Sequence, residues 1–208
     1  MKIVSILNQK GGSGKTTLTT NLAFALSLQK QKVLIVDSDP QGSASDWGNE
    51  TGGEIVPVVG LNRPKSLPKD IEAVSNGYDY VLIDGAPQLS DQMSSAIRVS
   101  DIVLIPVQPS PYDIWAAASL VDAIKQRQEL GSELKAFFVI SRAITNTNLA
   151  GEVKGALSEY GLPSFTSSTT QKISYSSSAA AGKTVFQTND KKAQSEVESI
   201  AKELMELK

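Results

Sequence analysis

A glycine-rich segment near the start of the chain reads Asn8-Gln9-Lys10-Gly11-Gly12-Ser13-Gly14-Lys15-Thr16-Thr17. It follows an apolar, strand-like run at Ile3–Leu7 and leads into a helix predicted over Thr16–Gln29. Glycines let the backbone turn its N–H groups toward phosphate oxygens, and the start of a helix adds the positive end of its dipole. A strand, a loop of this composition and a helix, in that order, therefore predict a phosphate-binding loop.

The loop also supplies side chains for a nucleotide and its metal ion. Lys15 can reach the β- and γ-phosphates, and the hydroxyl of Thr16 can coordinate Mg²⁺. The standard phosphate-loop pattern requires a glycine where this chain has Gln9, and a second lysine stands at Lys10. The segment is therefore a variant of the standard pattern, and its simplest alternative is a glycine-rich turn that binds no ligand.

Lys10 through Thr17 resemble the deviant Walker A motif of the ParA/MinD superfamily of ATPases. In that family the extra lysine reaches across a nucleotide-sandwich dimer to the phosphates of the partner subunit. The resemblance implies this role for Lys10 and an in-subunit role for Lys15. A cation supplied in trans would neutralise charge on the γ-phosphoryl group and make hydrolysis depend on dimerisation. The implied nucleotide-binding residues are Lys10, Gly11, Gly12, Ser13, Gly14, Lys15, Thr16 and Thr17.

Carboxylates follow two further strand-like runs. Asp37 and Asp39 come after Val33–Val36, and Asp84 follows Tyr80–Ile83. The carboxyl ends of strands form the ligand-binding edge of open α/β sheets, although a solvated turn is the simpler alternative. The first pair resembles the family's Asp-x-Asp-Pro-Gln segment, which implies that Asp37 supports the metal site and Asp39 orients the attacking water. Asp84 has the place of a Walker B aspartate, which holds a water of the magnesium shell.

Apolar runs alternate with predicted helices along the chain. The runs are short, continuously apolar and rich in β-branched residues, as in strands buried on both faces of a parallel sheet. They are Ile3–Leu7, Val33–Val36, Tyr80–Ile83, Ile102–Val107 and Ala136–Ile140, and the helices between them are Thr16–Gln29, Asp91–Val99 and Asp113–Glu129. The alternation predicts one α/β domain over residues 1–208, with a doubly wound, mostly parallel sheet flanked by helices. The segment Gly48–Lys69 is predicted to be irregular, around a short strand at Ile55–Val58.

The composition narrows the possible chemistry. The chain has 208 residues, of which 40% are hydrophobic and 20% charged, and it contains neither cysteine nor histidine. Disulfides, thiol nucleophiles and iron–sulfur clusters are excluded, so catalysis must use carboxylates, lysines, hydroxyls, backbone amides or a bound ion. We recognise no signal peptide and no membrane-spanning run, and expect a cytoplasmic location. With a formal net charge of −2, any DNA contact must come from a local patch.

The second half of the chain leaves several interpretations open. The proline-rich segment Pro106–Asp113 is either a rigid connection, with Asp113 capping the next helix, or an interface. Small partition ATPases such as ParF carry a similar segment at their dimer and assembly interface. Arg142 and Lys172 are candidates for base or DNA contacts, although a solvated lysine is favoured at 172. The segment Ser164–Ser178, dense in serine and threonine, is interpreted as an ordered functional loop rather than low-complexity sequence.

A last helix is predicted over Ser195–Leu207, where apolar residues recur at helical spacing. Its polar face carries Glu196, Glu198, Glu203 and Glu206. Anionic lipid would repel such a face, so docking on the domain is favoured over membrane binding.

The resemblance extends from Met1 to about Phe186 and implies a small ParA-type, ParF-like partition ATPase with ATP and Mg²⁺ as cofactors. Such a protein forms an ATP-dependent homodimer or a higher assembly and binds nonspecific DNA of the bacterial nucleoid, and a centromere-binding adaptor stimulates its slow hydrolysis. The alternatives are a MinD-like or other cargo-positioning ATPase and a P-loop biosynthetic ligase. A reductase of the nitrogenase iron-protein type would need cysteines, and the chain has none.

Overall fold

The computed structural model describes residues 1–53, 55–87, 90–144 and 149–207. Its strands are β1 (Lys2–Ile6), β2 (Val33–Asp37), β3 (Val58–Gly60), β4 (Tyr80–Asp84), β5 (Ile102–Val107) and β6 (Lys135–Ile140). Within the described residues they form one parallel sheet in the order β3-β2-β4-β1-β5-β6. The predicted doubly wound α/β fold is confirmed, and β1 lies centrally with the phosphate loop at its carboxyl end.

Helices cover both faces of this sheet. They are α1 (Lys15–Leu28), α2 (Ser43–Glu50), α3 (Leu67–Val74), α4 (Asp91–Val99), α5 (Pro111–Glu129), α6 (Leu149–Ser158), α7 (Ile173–Ala180) and α8 (Lys191–Glu206), with a 3₁₀ turn at Val185–Gln187. Successive strand residues face opposite sides. Val81 and Ile83 therefore join the core beneath α3, α4, α5 and α6, whereas Leu82 joins the core beneath α1, α2, α7 and α8. None of the helices in the described ranges combines the length and the apolar character needed to cross a membrane.

The segment predicted to be irregular is more regular than its composition suggests. It begins inside α2 and ends inside α3, where Leu67 and Ile71 lie one turn apart and are buried. The short strand predicted at Ile55–Val58 is misplaced, because β3 pairs with β2 in the register Ile35 to Val58. Each of α2 and α3 is only eight residues long and buries only a few residues, so the periodic pattern in the sequence was too weak to predict them.

Three helices begin earlier than predicted, α1 by one residue and α5 and α8 by more. Helix α5 starts at Pro111 with Ser110 in the N-cap position, so the interpretation of Asp113 as a cap is wrong. Proline is favoured in the first turn because its missing N–H has no helical partner there. Helix α8 starts at Lys191 rather than Ser195, since the carboxylate of Asp190 accepts a hydrogen bond from the backbone N–H of Ala193 at 3.0 Å. The prediction that this helix docks on the domain is confirmed by its buried apolar face.

Candidate nucleotide-binding site

The phosphate loop lies between β1 and α1, as its sequence predicts. Gly12 and Gly14 have φ angles of 72° and 98°, a left-handed conformation that favours glycine. The hydroxyl of Ser13 is buried and has no hydrogen-bond partner in the described part of the chain. Buried hydroxyls normally have a partner, so an orphaned one at the start of a helix fits a loop that receives an anionic ligand.

Lys15 is buried within this loop. Its side chain is 7% exposed, and Nζ donates to the backbone carbonyl of Lys10 at 3.3 Å. Burial lowers the pKa of Lys15, while the carboxylates of Asp84 and Asp39 act in the opposite direction. A bound phosphate group would favour the charged lysine further, because opposite charges attract strongly when water is excluded.

Lys10 is held within its own subunit. Its Nζ lies 2.5 Å from Oδ2 of Asp113, whose side chain is only 2% exposed, whereas that of Lys10 is 39% exposed. Asp113 is the last residue of the proline-rich segment and lies in the first turn of α5. The amide of Gln108 also donates to the carbonyl of Gly12 at 2.8 Å, so this segment packs on the phosphate loop.

Asp84 lies beside the loop at the end of β4, next to β1 in the sheet. Its carboxylate accepts hydrogen bonds from the hydroxyls of Thr16 at 2.7 Å and Thr19 at 3.3 Å. Burial raises the pKa of Asp84 to about 7; the Thr16 hydrogen bond opposes this shift and the charge of Asp37 adds to it. A cation bound nearby would favour the ionised carboxylate.

The hydroxyl and carboxylate groups beside the loop are suitable ligands for a magnesium ion that binds together with a nucleotide. Mg²⁺ usually binds one or two carboxylates plus phosphate oxygens and waters, rather than a cage of protein ligands. Thr16 and Asp84 supply a hydroxyl and a carboxylate of that kind. Among the described residues, no group of three or more acidic side chains could hold a metal ion alone.

Asp37 and Asp39 lie at the same edge of the sheet as the phosphate loop, at and just after the end of β2. Strand β2 pairs with β4 rather than with β1, and Asp37 lies opposite Asp84 in that register. The buried carboxylate of Asp37 accepts backbone N–H groups of Asp39 at 3.1 Å and Ser45 at 2.7 Å, so it anchors the start of α2. Asp39 is partly exposed, and its negative charge acts to raise the pKa of Lys15.

A family comparison agrees with this arrangement. The model of the CobQ/CobB/MinD/ParA nucleotide binding domain matches residues 4–185 of the chain. The chain belongs to this family.

Two relatives show how much of the chain the family likeness covers. Maintenance of carboxysome distribution protein A from Gloeobacter kilaueensis is 30% identical over 208 residues, which cover 98% of this chain and 94% of the relative. Sporulation initiation inhibitor protein Soj from Bacillus subtilis is 31% identical over 201 residues, covering 76% of this chain and 79% of Soj. The predicted resemblance to the ParA/MinD superfamily is confirmed.

A solved structure supports the fold. The septum site-determining protein MinD of Pyrococcus horikoshii, in complex with Mg-ADP, matches with a TM-score of 0.79 and 19% identity. The match covers 99% of this chain and 96% of that one. At this identity the likeness concerns the fold alone.

In the present chain, a pocket of about 630 Å³ opens beside the phosphate loop, next to Gly14 and Thr17. That volume is in the range of small-molecule sites, roughly 300–1,000 Å³. The far wall is formed by residues just beyond β6, by the serine- and threonine-rich segment and by α7 and α8, including Arg142, Thr170, Lys172, Ile173, Tyr175 and Val197. Arg142 and Lys172 are among the residues predicted from the sequence, whereas the contribution of α8 is not.

The serine- and threonine-rich segment is ordered, as predicted, but it is not a loop throughout, because its residues from Ile173 onward belong to α7. Its backbone follows the end of β6: the N–H groups of Phe165 and Thr169 donate to the carbonyls of Phe138 and Ile140 at 2.8 and 3.0 Å. Farther along, Gln171 donates to Ala143 at 3.0 Å. These bonds extend the sheet edge alongside the pocket.

Lys172 is not a free, solvated lysine, so that interpretation is wrong. Its Nζ contacts both carboxylate oxygens of Asp190, at 2.9 and 3.0 Å, and the paired side chains are 21% and 24% exposed. The N–H of Ala193, with Lys172 and the hydroxyl of Ser174, lowers the pKa of Asp190 to about 2. Arg142 is exposed and lies at the mouth of the pocket, with a left-handed φ of 53°.

Proposed function

We propose that this chain is a ParA-type ATPase, closest to the small ParF-like partition ATPases, with ATP and Mg²⁺ as cofactors. The observation that carries the proposal is the convergence of Lys15, Thr16 and Asp84 on one glycine-lined loop. A metal-bound triphosphate needs a cation, a hydroxyl and a carboxylate close together, so this convergence supports the proposal. The family is a nucleotide-binding one, and relatives of similar fold are solved with nucleotide and magnesium.

Each part of the nucleotide has a suitable set of residues. Backbone N–H groups of the loop and Lys15 bind the phosphates, while the pocket beside Gly14 and Thr17 receives the nucleoside. Thr16 would hold the magnesium ion directly, and Asp37 and Asp84 would hold it through waters. When bound, the ion neutralises phosphate charge and fixes the geometry of the triphosphate.

Hydrolysis depends on residues from two subunits in this proposal. Asp39 orients the attacking water, and Lys10 of each subunit contacts the phosphates bound by the other. Lys10 must therefore leave Asp113 of its own subunit when the dimer forms. The chain has no histidine, and none of the described residues near the loop offers a strong base, which suits a slow ATPase that works by positioning and charge neutralisation.

The cellular role that we favour is DNA partition by one domain spanning residues 1–208. ATP-dependent dimers, or higher assemblies of them, would bind nonspecific DNA in the cytoplasm and associate with the nucleoid. A centromere-binding adaptor protein would stimulate hydrolysis and reset the switch. Similarity to relatives named chromosome-partitioning ATPase Soj and chromosome partitioning protein ParA supports this branch of the family.

A second candidate is the positioning of another cargo with the same switch. The observation that favours it is the 30% identity, over nearly the whole chain, to maintenance of carboxysome distribution protein A. Because both candidates use ATP-dependent dimers, they differ in the adaptor and its cargo rather than in the nucleotide site. A biosynthetic ligase would instead turn over ATP only with a small-molecule substrate.

The test is the ATPase rate and the sedimentation of purified protein, with and without nonspecific duplex DNA. ADP is compared with a slowly hydrolysed ATP analogue, and Lys10→Ala is compared with Lys192→Ala, which removes an exposed lysine of α8. The partition ATPase would be supported by three results together: dimers form only with the ATP analogue, Lys10→Ala weakens these dimers, and the dimers bind DNA. A monomer under every condition would contradict the switch, and dimers indifferent to DNA would contradict the partition role.

A further inference from the structure

The acidic residues of α8 do not form one solvated face. Glu203 accepts hydrogen bonds from the backbone N–H and hydroxyl of Thr166 at 2.8 and 3.0 Å, and from the N–H of Ser167 at 3.0 Å. Glu198 and Glu206 on the same helix are exposed. Only some of the glutamates therefore interact with the neighbouring segment.

Glu196 contacts the pocket wall itself. Its carboxylate accepts from the N–H of Thr170 at 3.0 Å, from the hydroxyl of Thr170 at 2.6 Å and from the hydroxyl of Tyr175 at 3.0 Å. Thr170 and Tyr175 both line the pocket beside the phosphate loop, whereas Glu196 does not. One carboxylate behind the wall thus fixes two residues that face into it.

The wall needs such support because it lies at the edge of the sheet. Among the described residues, one side of the segment is bonded to β6 and to Ala143, and the other side is bonded to Glu196 and Glu203 of α8. Hydrogen bonds to an ionised acceptor are stronger than neutral ones, so a carboxylate that accepts three of them orients its donors firmly. Tyr175 is buried, and its hydroxyl lies closer to the carboxylate of Glu196, at 3.0 Å, than to the carbonyl of Ala193, at 3.4 Å.

We propose that Glu196 is a positioning residue for nucleoside recognition, acting through Thr170 and Tyr175 on the wall that contacts the base and ribose. The inference rests on the proposed nucleotide site, because it assigns the nucleoside to this pocket. The residues that bind phosphate and magnesium are held by other contacts, those of Thr16, Asp84 and Lys10. Loss of Glu196 therefore weakens nucleoside binding and leaves phosphate binding unchanged.

The experiment compares two ligands, Mg-ADP and magnesium pyrophosphate, by titration calorimetry. ADP avoids the ATP-dependent dimer, and pyrophosphate occupies the phosphate loop without a nucleoside. The variants are Glu196→Ala, the conservative Glu196→Gln, and Glu198→Ala as a control from the exposed side of the same helix. Alanine keeps the helix because its helix propensity is the highest.

We expect Glu196→Ala to weaken ADP binding about tenfold, since hydrogen bonds to a charged group are lost, and to change pyrophosphate binding less than about twofold. Glu196→Gln should recover most of the ADP affinity because its amide oxygen still accepts from Thr170. Equal losses for both ligands, no loss for either, or the same loss in Glu198→Ala would overturn the inference.

A second variant guards against a folding defect. Tyr175→Phe keeps the ring in the pocket and removes one donor to Glu196, so it should weaken ADP binding about threefold, again without an effect on pyrophosphate. An unchanged ADP affinity in this variant would show that Glu196 does not act on nucleoside binding through Tyr175. Wild-type protein that binds neither ligand would overturn the nucleotide proposal as well, whereas ADP binding without analogue-dependent dimers would remove only the proposed switch.

Discussion

The two ends of the candidate nucleotide site are built in different ways. The phosphate end is one continuous segment, Gly11–Thr17, that follows a central strand and begins a helix. The nucleoside end is assembled from residues after β6, the serine- and threonine-rich segment, α7 and α8, which are far apart in the chain. Local backbone geometry determines the first, and tertiary packing determines the second.

The difference matters for what each end can tolerate. The phosphate end depends on backbone N–H groups and on glycines with left-handed φ angles, so few sequences can form it. The nucleoside end depends on side-chain carboxylates of α8 that hold a sheet-edge segment. We expect the first to fail completely when one residue changes, and the second to weaken by degrees.

The largest effect should come from Lys15→Ala. The phosphates lose a buried cation and its charge-assisted hydrogen bonds, so nucleotide affinity should fall at least about a thousandfold. Titration with Mg-ADP measures the loss of affinity. Lys192→Ala, which removes an exposed lysine of α8, serves as the control. Near-normal affinity in the Lys15 variant would show that this loop does not bind the phosphates.

The next effect concerns turnover rather than binding. Asp39→Ala should reduce the ATPase rate by about a hundredfold or more, because the attacking water loses its orienting carboxylate, while ATP-driven dimers persist. Asp46→Ala, which removes an exposed carboxylate from α2, should change neither property. A normal rate in Asp39→Ala would remove this residue from the mechanism.

A smaller effect should appear in the pH dependence of stability. Because the pKa of Asp84 rises from 3.8 to about 7 on folding, the unfolded chain releases this proton at lower pH than the folded protein. Ligand-free wild type therefore loses stability as pH rises from about 4 to about 7. Asp84→Asn does not titrate, so between about pH 4.5 and pH 6 its stability should rise relative to wild type by about 2 kcal/mol.

Urea unfolding without nucleotide, at several pH values through this range, measures the difference. A difference in stability between the two proteins that stays constant with pH would show that Asp84 has an ordinary pKa in the folded protein.

The smallest effect should come from Asp113→Asn. Weakening its contact with Lys10 frees that lysine for a partner subunit, so the ATP analogue should drive dimers at about threefold lower protein concentration. Asp122→Asn, an exposed change on the same helix, should have no effect. Weaker dimerisation in Asp113→Asn would mean that the contact supports the active arrangement rather than holding Lys10 back.

The sequence was sufficient for the phosphate end and for most of the sheet. The glycine pattern and the continuously apolar strands are local signals, and the predicted positions of Lys15, Thr16 and Asp84 agree with the structure. The strand order could not be predicted, because nothing in the sequence showed that β4 lies between β1 and β2.

The nucleoside end could not be predicted in the same way. Glu196 and Glu203 read as part of an acidic, solvated helix face, since their partners lie some 30 residues earlier in the chain. The sequence suggested a helix cap at Asp113 because this residue ends the proline-rich segment, whereas its side chain is buried against Lys10. In each case the determining contact joins residues that no periodic pattern relates.

The most direct test of a single nucleotide spanning both ends is hydrogen–deuterium exchange, followed by mass spectrometry, with Mg-ADP and with magnesium pyrophosphate. Both ligands should protect peptides that contain Gly11–Thr17, because both fill the phosphate loop. Only ADP should protect peptides from Thr166–Ser176, which line or support the pocket wall. Protection by ADP that stays confined to the phosphate loop would contradict the account of the nucleoside end.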